Sequence, residues 1–240
     1  MGHIWVGSPG DVRYNEAAIA ANQQRNDKKY WTDEEGIVKV DRVRWEEAQK
    51  FEHDGWISHW RDHQADRPMD HYKLFDGYAA VPNDIGMVAE FGCGPFTQVK
   101  HIVEFGNRNF SSATLIDPLI DAYPSMPHCT YKDKFLLRRP VELIKSQAEE
   151  FVRPNFYDTV ICINVLEHVQ DAWVVLNNLY STLKTGGLII LGERTYDDFD
   201  CSVLFDIGHP IRIKSSVTNK FRDRFDVLFG STGYFIGRKK

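Results

Sequence analysis

Several short clusters in this chain carry residue types with chemistry in them. Glu90-Phe91-Gly92-Cys93-Gly94 sets two glycines directly after an apolar run and just ahead of a helical pattern. Glycine at a strand-to-helix turn tolerates positive φ and lets a ligand approach the backbone, while the helix beyond offers unpaired N–H groups. This is the chemistry of a nucleotide-cofactor loop, and alone it does not say which nucleotide. Two details narrow it. The dinucleotide fingerprint wants a third glycine at the close helix–strand contact, where Gln98 lies instead. Glu90 stands two residues before the first glycine and would repel a pyrophosphate; a zwitterionic amino-acid end with a sulfonium centre suits an acid there better.

Further clusters follow at the ends of later apolar runs. Asp117 can accept both hydroxyls of a ribose. Gln147-Ala148-Glu149 offers a polar side chain to an adenine edge. Asn164-Val165-Leu166-Glu167-His168-Val169 falls where open α/β sheets bind ligands, at the carboxyl ends of strands. Transfer of a methyl group from a sulfonium is an in-line displacement that depends mainly on near-attack geometry, and a hydroxyl acceptor also needs a base. His168 is the first candidate base by position, with an orienting histidine an equal reading. His209, in Asp206-Ile-Gly-His209-Pro210-Ile-Arg212, and Glu193 are the second and third. Among the N-terminal histidines (His53, His59, His63, His71), His59 and His63 have i, i+4 spacing, but no H-E-x-x-H pattern or third ligand accompanies them. No metal is assigned.

These residues need elements to hold them. From about residue 85, short apolar runs alternate with helical patterns, as in a parallel sheet with crossover helices. Strands are predicted at Gly86 to Phe91, Ala113 to Ile116, Glu142 to Ser146, Tyr157 to Asn164 and Leu188 to Leu191. One helix spans Thr97 to Phe105, and residues 123–140 read as an irregular connection. A second helix carries Ala172, Val175, Leu176, Leu179 and Leu183 on one face and stops at Gly186-Gly187. Phe225 to Phe229 and Tyr234 to Ile236 flank a glycine turn and form an antiparallel hairpin. Upstream, Tyr30 to Arg44 alternates like a strand around Asp33-Glu34-Glu35-Gly36. Trp45 to His63 is helical, with Gly55 as a break, and Met69 to Ala79 is a second short helix.

The four blocks Glu90–Gly94, Asp117, Gln147-Ala148 and Asn164–His168, in this order, resemble the class I S-adenosylmethionine (SAM) dependent methyltransferases. Within them they are similar to the branch with a V-L-E-H-V segment after the fourth strand. The resemblance implies an α/β, Rossmann-like, doubly wound, mostly parallel seven-stranded sheet over residues 85–240, with an antiparallel C-terminal hairpin. Residues 1–84 would be a small N-terminal helical cap on the acceptor side. It further implies SAM as cofactor, released as S-adenosylhomocysteine. Glu90, Phe91, Gly92, Cys93 and Gly94 would line its methionine side, and Asp117 the ribose. Pro118, Leu119, Gln147 and Ala148 would lie by the adenine, and Asn164 and Val165 by the methyl donor. Asp is commoner than Gln at the position of Gln147. The run Trp45 to Trp56 resembles the lead-in of methyltransferases of glycan biosynthesis.

Composition sets the partner classes. A net charge of −5 over 240 residues argues against wholesale polyanion binding. Residues 211–240 nevertheless carry eight basic residues against Asp223 and Asp226. That stretch reads as a solvated helix and frayed tail, with a weak RNA-facing surface as the other reading. Four cysteines without a C-x-x-C pair look like reduced thiols, and no run of 18 apolar residues or signal profile is present, so a cytoplasmic protein is expected. A small-molecule or sugar hydroxyl is the expected acceptor. RNA modification and a non-catalytic SAM-binding module are the alternatives.

Overall fold

A computed structural model describes residues 31–32, 34–59, 77–130, 138–197 and 207–240. The strands, in chain order, are β1 (Trp31–Thr32), β2 (Gly36–Ile37), β3 (Met87–Phe91), β4 (Ser112–Ile116) and β5 (Val141–Ile144). They continue with β6 (Tyr157–Ile163), β7 (Leu183–Gly192), β8 (Arg212–Ile213), β9 (Phe225–Ser231) and β10 (Tyr234–Lys239). The α-helices are α1 (Arg42–Asp54), α2 (Gln98–Glu104), α3 (Ala172–Thr182) and α4 (Ser215–Arg222).

Seven strands form one sheet in the order β5-β4-β3-β6-β7-β10-β9. The first five pair in parallel, and β10 pairs antiparallel with both β7 and β9. Parallel strands covered on both faces need apolar side chains on both, which is why Val88, Ala89, Phe91, Val160, Ile161 and Cys162 are all buried. Strand order reverses between β3 and β6, so the crevice between their carboxyl ends is the topological switch point where such sheets take ligands. On one face of the sheet, Val175, Leu176 and Leu179 of α3 pack together with Ile37, Val40 and Trp45 from the N-terminal region. On the other, Val99 and Ile102 of α2 pack with Trp56.

The helices begin where their caps are. The Asp41 side chain accepts from Arg44 N, Thr97 from Val99 N, and Asp171 from both Trp173 N and Val174 N. At Gly55, itself in the αR region, α1 passes directly into a π-helix over Gly55–His59, so the expected break is a change of helix type, and Trp56 is buried beyond it.

Three local expectations are corrected. The strand-like alternation over Tyr30 to Arg44 is confined to the two short strands β1 and β2; Asp41 then caps a helix that already includes Arg42 to Arg44. The helix after Asp171 ends at Thr182 rather than at Gly186-Gly187, and Leu183 pairs with Tyr157 as the first residue of β7. Gly186, at φ +73, lies inside β7 next to a register shift opposite Tyr157 and Thr159, so the glycines accommodate a strand irregularity. Residues 211–240 do contain the helix α4, but the tail does not fray: β10 occupies an interior position of the sheet. Most of the segment read as a helix over Met69 to Ala79 lies outside the described residues, as do His63 and His71; Tyr78–Ala80 is a 3-10 turn.

Candidate active site

The glycine loop is fixed by its neighbours. Gly92 N and Cys93 N both donate to Ile116 O, at 2.8 and 3.3 Å, which ties the end of β3 to the end of β4. Gly92 has φ +62, and a Cβ there would stand 2.5 Å from Val165 Cγ2, so the first glycine is required by the β6 loop packed over it. Gly94 differs. Its φ is +52, and among the described residues no heavy atom lies within 4 Å of where its Cβ would be.

Gly94 N donates to Asp117 Oδ2 at 3.0 Å, while Oδ1 accepts from Leu119 N at 2.8 Å and Tyr123 Oη at 3.2 Å. Burial pushes the Asp117 carboxyl upward; the Leu119 and Gly94 amides, the Tyr123 hydroxyl and the His168 imidazole offset this only in part. A carboxylate has about four acceptor positions, so these three donors leave room on Oδ2 for one more. Leu119 and Pro118 flank it half-buried, and Tyr123 is buried against Trp56, whose ring meets those of Phe96 and Tyr123 edge-on at 6.0 and 6.3 Å. Open space at Gly94 beside an acid with unused capacity fits a cofactor that brings a ribose to the switch point.

Glu90 supports the helix that follows the loop. It is 2% exposed and accepts from the Thr97 hydroxyl, from Gln98 N at 2.8 Å and from Val99 N at 3.4 Å, so it anchors the N-terminus of α2. Burial raises its carboxyl to about 7 despite these donors. Phe91 is fully buried and meets Phe151 edge-on. Of the adenine candidates, Ala148 is buried in the core that holds Phe91 and Val165, and Gln147 is half-buried on the loop after β5. Asn164 has φ +58, a backbone region that Asn tolerates better than most residues, at the carboxyl end of β6.

The candidate bases separate into two groups. Glu193 accepts from Val165 N and Leu166 N at 3.0–3.2 Å and from the Cys162 thiol, and burial pushes its carboxyl up to about 8. It braces the turn after β6 from behind. His168 and His209 are brought together, with ring centroids 4.6 Å apart. His168 Nδ1 is 3.0 Å from Gly208 O, and the His168 carbonyl accepts from Trp45 Nε1 and Gln49 Nε2 of α1.

Two acids that the sequence reading did not single out join this pair. Glu167 Oε1 is 3.4 Å from His209 Nε2 and 3.9 Å from His168 Nε2, while its Oε2 accepts from Tyr196 Oη at 2.7 Å. Burial raises the Glu167 carboxyl, but the two imidazoles, the Tyr196 hydroxyl and Arg194 outweigh it and leave it below the usual range. Glu52 Oε1 is 3.9 Å from His168 Nδ1. A signal for Glu52 was available: it shares the buried helical stripe with Trp45 and Ala48, where a carboxylate is out of place without a partner.

The methyltransferase-domain family profile matches residues 59–225, most of the chain. The chain belongs to the methyltransferase-domain family. With the sheet order and the glycine loop, this bears out the resemblance to the class I SAM-dependent methyltransferases. Among solved structures, the chain is similar to the N-methyltransferase NodS of Bradyrhizobium japonicum WM9 in complex with S-adenosylhomocysteine. The TM-score is 0.58 and the identity 13%, over 80% of this chain and 98% of that one. It is also similar to the 1,6-didemethyltoxoflavin-N1-methyltransferase of Burkholderia thailandensis (TM-score 0.51, 14% identity, 98% and 93% covered). Among curated proteins, it is 25% identical over 113 residues to the polyketide synthase component of lovastatin nonaketide synthase from Aspergillus terreus. That match covers 46% of this chain and 4% of that protein, so the chain spans a small fraction of the length of this relative.

Proposed function

We propose that this methyltransferase moves a methyl group from SAM to a hydroxyl of a small molecule or a sugar or glycan precursor, acting in the cytoplasm. The observation that carries the reading is the His168–His209 pair, backed by Glu167, on the switch-point side of the sheet near Asp117. SAM supplies an electrophilic methyl group there and leaves as S-adenosylhomocysteine. Gly94 opens the floor for it, Gly92 keeps Val165 against the loop, and Asp117 takes a ribose hydroxyl on Oδ2. Pro118, Leu119, Gln147 and Ala148 border the adenine. Phe91, Cys93, Asn164 and Val165 border the methionine part. Glu90 acts through α2, holding the helix whose start follows the loop.

Residues 1–84 form the acceptor-side cap in this reading; its α1 helix clamps the His168 carbonyl and carries Glu52 into the same cluster. An imidazole of the pair takes the acceptor proton, and Glu167 stabilises the imidazolium that results. The test is turnover of His168→Ala with methyl-labelled SAM against a panel of hydroxyl-bearing acceptors. Turnover should fall by about a hundredfold or more with SAM affinity nearly unchanged. Equal losses in both would reduce His168 to an orienting residue.

An amine acceptor is the second reading, favoured by the two carboxylates, Glu52 and Glu167, that flank the histidines and would steady an ammonium group. NodS and the toxoflavin enzyme are N-methyltransferases by name. Mass spectrometry of the product decides between them. An RNA acceptor has less support. Lys220 pairs with Glu35, Lys239 donates to Tyr180 O and Leu183 O, and Arg212 is buried. Salt-sensitive RNA binding would revive it. Methyl transfer to any acceptor disposes of a non-catalytic module.

A further inference from the structure

We propose that Glu52, His168 and His209 bind a divalent transition-metal cation. Each offers one ligand atom, and the three atoms lie within 4.8 Å of one another. Ligand atoms around a zinc ion at about 2.1 Å stand about 3.4 Å apart, so closure needs side-chain rotations of roughly 1 Å. Two imidazoles and one carboxylate form a donor set of intermediate softness that suits zinc, cobalt or manganese better than calcium.

The surroundings are those of a ligand set. His168 Nδ1 lies 3.0 Å from Gly208 O and 3.9 Å from Glu52 Oε1, so the Gly208 carbonyl holds the ring beside the Glu52 carboxylate. The Gly208 backbone passes close against the Glu52 carboxylate, which would have to shift to admit a Cβ there. Glu167, held by Tyr196, reaches His209 Nε2 at 3.4 Å and can orient that ring or become a fourth ligand. The side chains of Glu52, His168 and His209 are 12%, 21% and 19% exposed, so the cluster is neither sealed nor fully solvated.

The role of the cation rests on the hydroxyl-acceptor reading. A hydroxyl ligating such a cation would give up its proton to solvent water at the partly exposed cluster near neutral pH, with the imidazoles serving as ligands in place of acting as the base.

The test uses the full chain, stripped with a chelator and titrated with zinc by calorimetry, alongside Glu52→Gln, His209→Asn and, as a control, His53→Asn. Wild type and the control should bind one equivalent, with affinity at least about tenfold weaker in the other two. Cobalt added to wild type should give visible ligand-field bands that shift in Glu52→Gln, an isosteric change that spares the fold. Absence of zinc binding by folded wild type, or unchanged affinity in both ligand variants, overturns the proposal. SAM affinity measured on the same stripped protein reads the donor site separately, so the cation site and the methyl-transfer reading can fail independently.

Discussion

Gly92 and Gly94 share a left-handed backbone, yet their substitution should read out differently. Alanine at Gly92 drives a methyl into Val165, and a loss of about 1–3 kcal/mol of stability in urea unfolding is expected. Alanine at Gly94 meets no described atom, so the loss should stay near 1 kcal/mol, from the backbone alone, while SAM affinity by calorimetry drops sharply. Glu193 supplies a pH prediction. Its carboxyl is held at about 8 in the fold against an ordinary value of 4.5, so the folded state binds the extra proton. That contribution is fully present below 4.5 and is lost as pH rises through about 8. Glu193→Gln should flatten the fall in melting temperature across this window, and an unchanged slope would assign the dependence to other groups, Glu90 first. At this scale the sequence was legible where a backbone constraint forces residue type, as at Gly92. It was less so where a carboxylate had two possible directions: Glu90 and Glu193 end strands beside the crevice, but backbone amides of α2 and of the turn after β6 claim them.

The elements are set by their ends. Asp171 caps α3 through two amides and also pairs with Lys39 at 2.9 Å, joining the helix to the N-terminal region. Asp171→Ala should cost about 1–2 kcal/mol, mostly from the cap, because Lys39 is largely exposed. A melting curve checks this, and a loss restored by Asn at the same position would confirm the cap as the cause. Helix and strand identities along the sheet were readable because apolar period and cap residues agreed there. They diverged at Leu183, which is fully buried whether it ends a helix or begins a strand, so periodicity could not choose, and the glycines that follow suggested the wrong boundary. The Glu52–His168–His209 cluster was legible in its two histidines but not as a cluster. Its members come from α1, the turn after β6 and the connection after β7, and no spacing in sequence records that they meet.

For the whole molecule, the C-terminal hairpin is structural. Phe235 is fully buried and its ring packs 5.7 Å from Phe225 and 6.4 Å from Phe221, so Phe235→Ala should cost about 3–5 kcal/mol by denaturant unfolding. The hairpin's register has a kinetic side. β9 precedes β10 in the chain but lies outside it, bonded to the sheet only through β10. While this region is being synthesised, β9 therefore emerges with nowhere to dock, and the open edge of β7 stays a bare template until residues 234–239 leave the ribosome. A chain truncated after residue 231 should then be the species most prone to intermolecular strand pairing and chaperone capture, and the eight further residues to Lys239 should be enough to end that exposure.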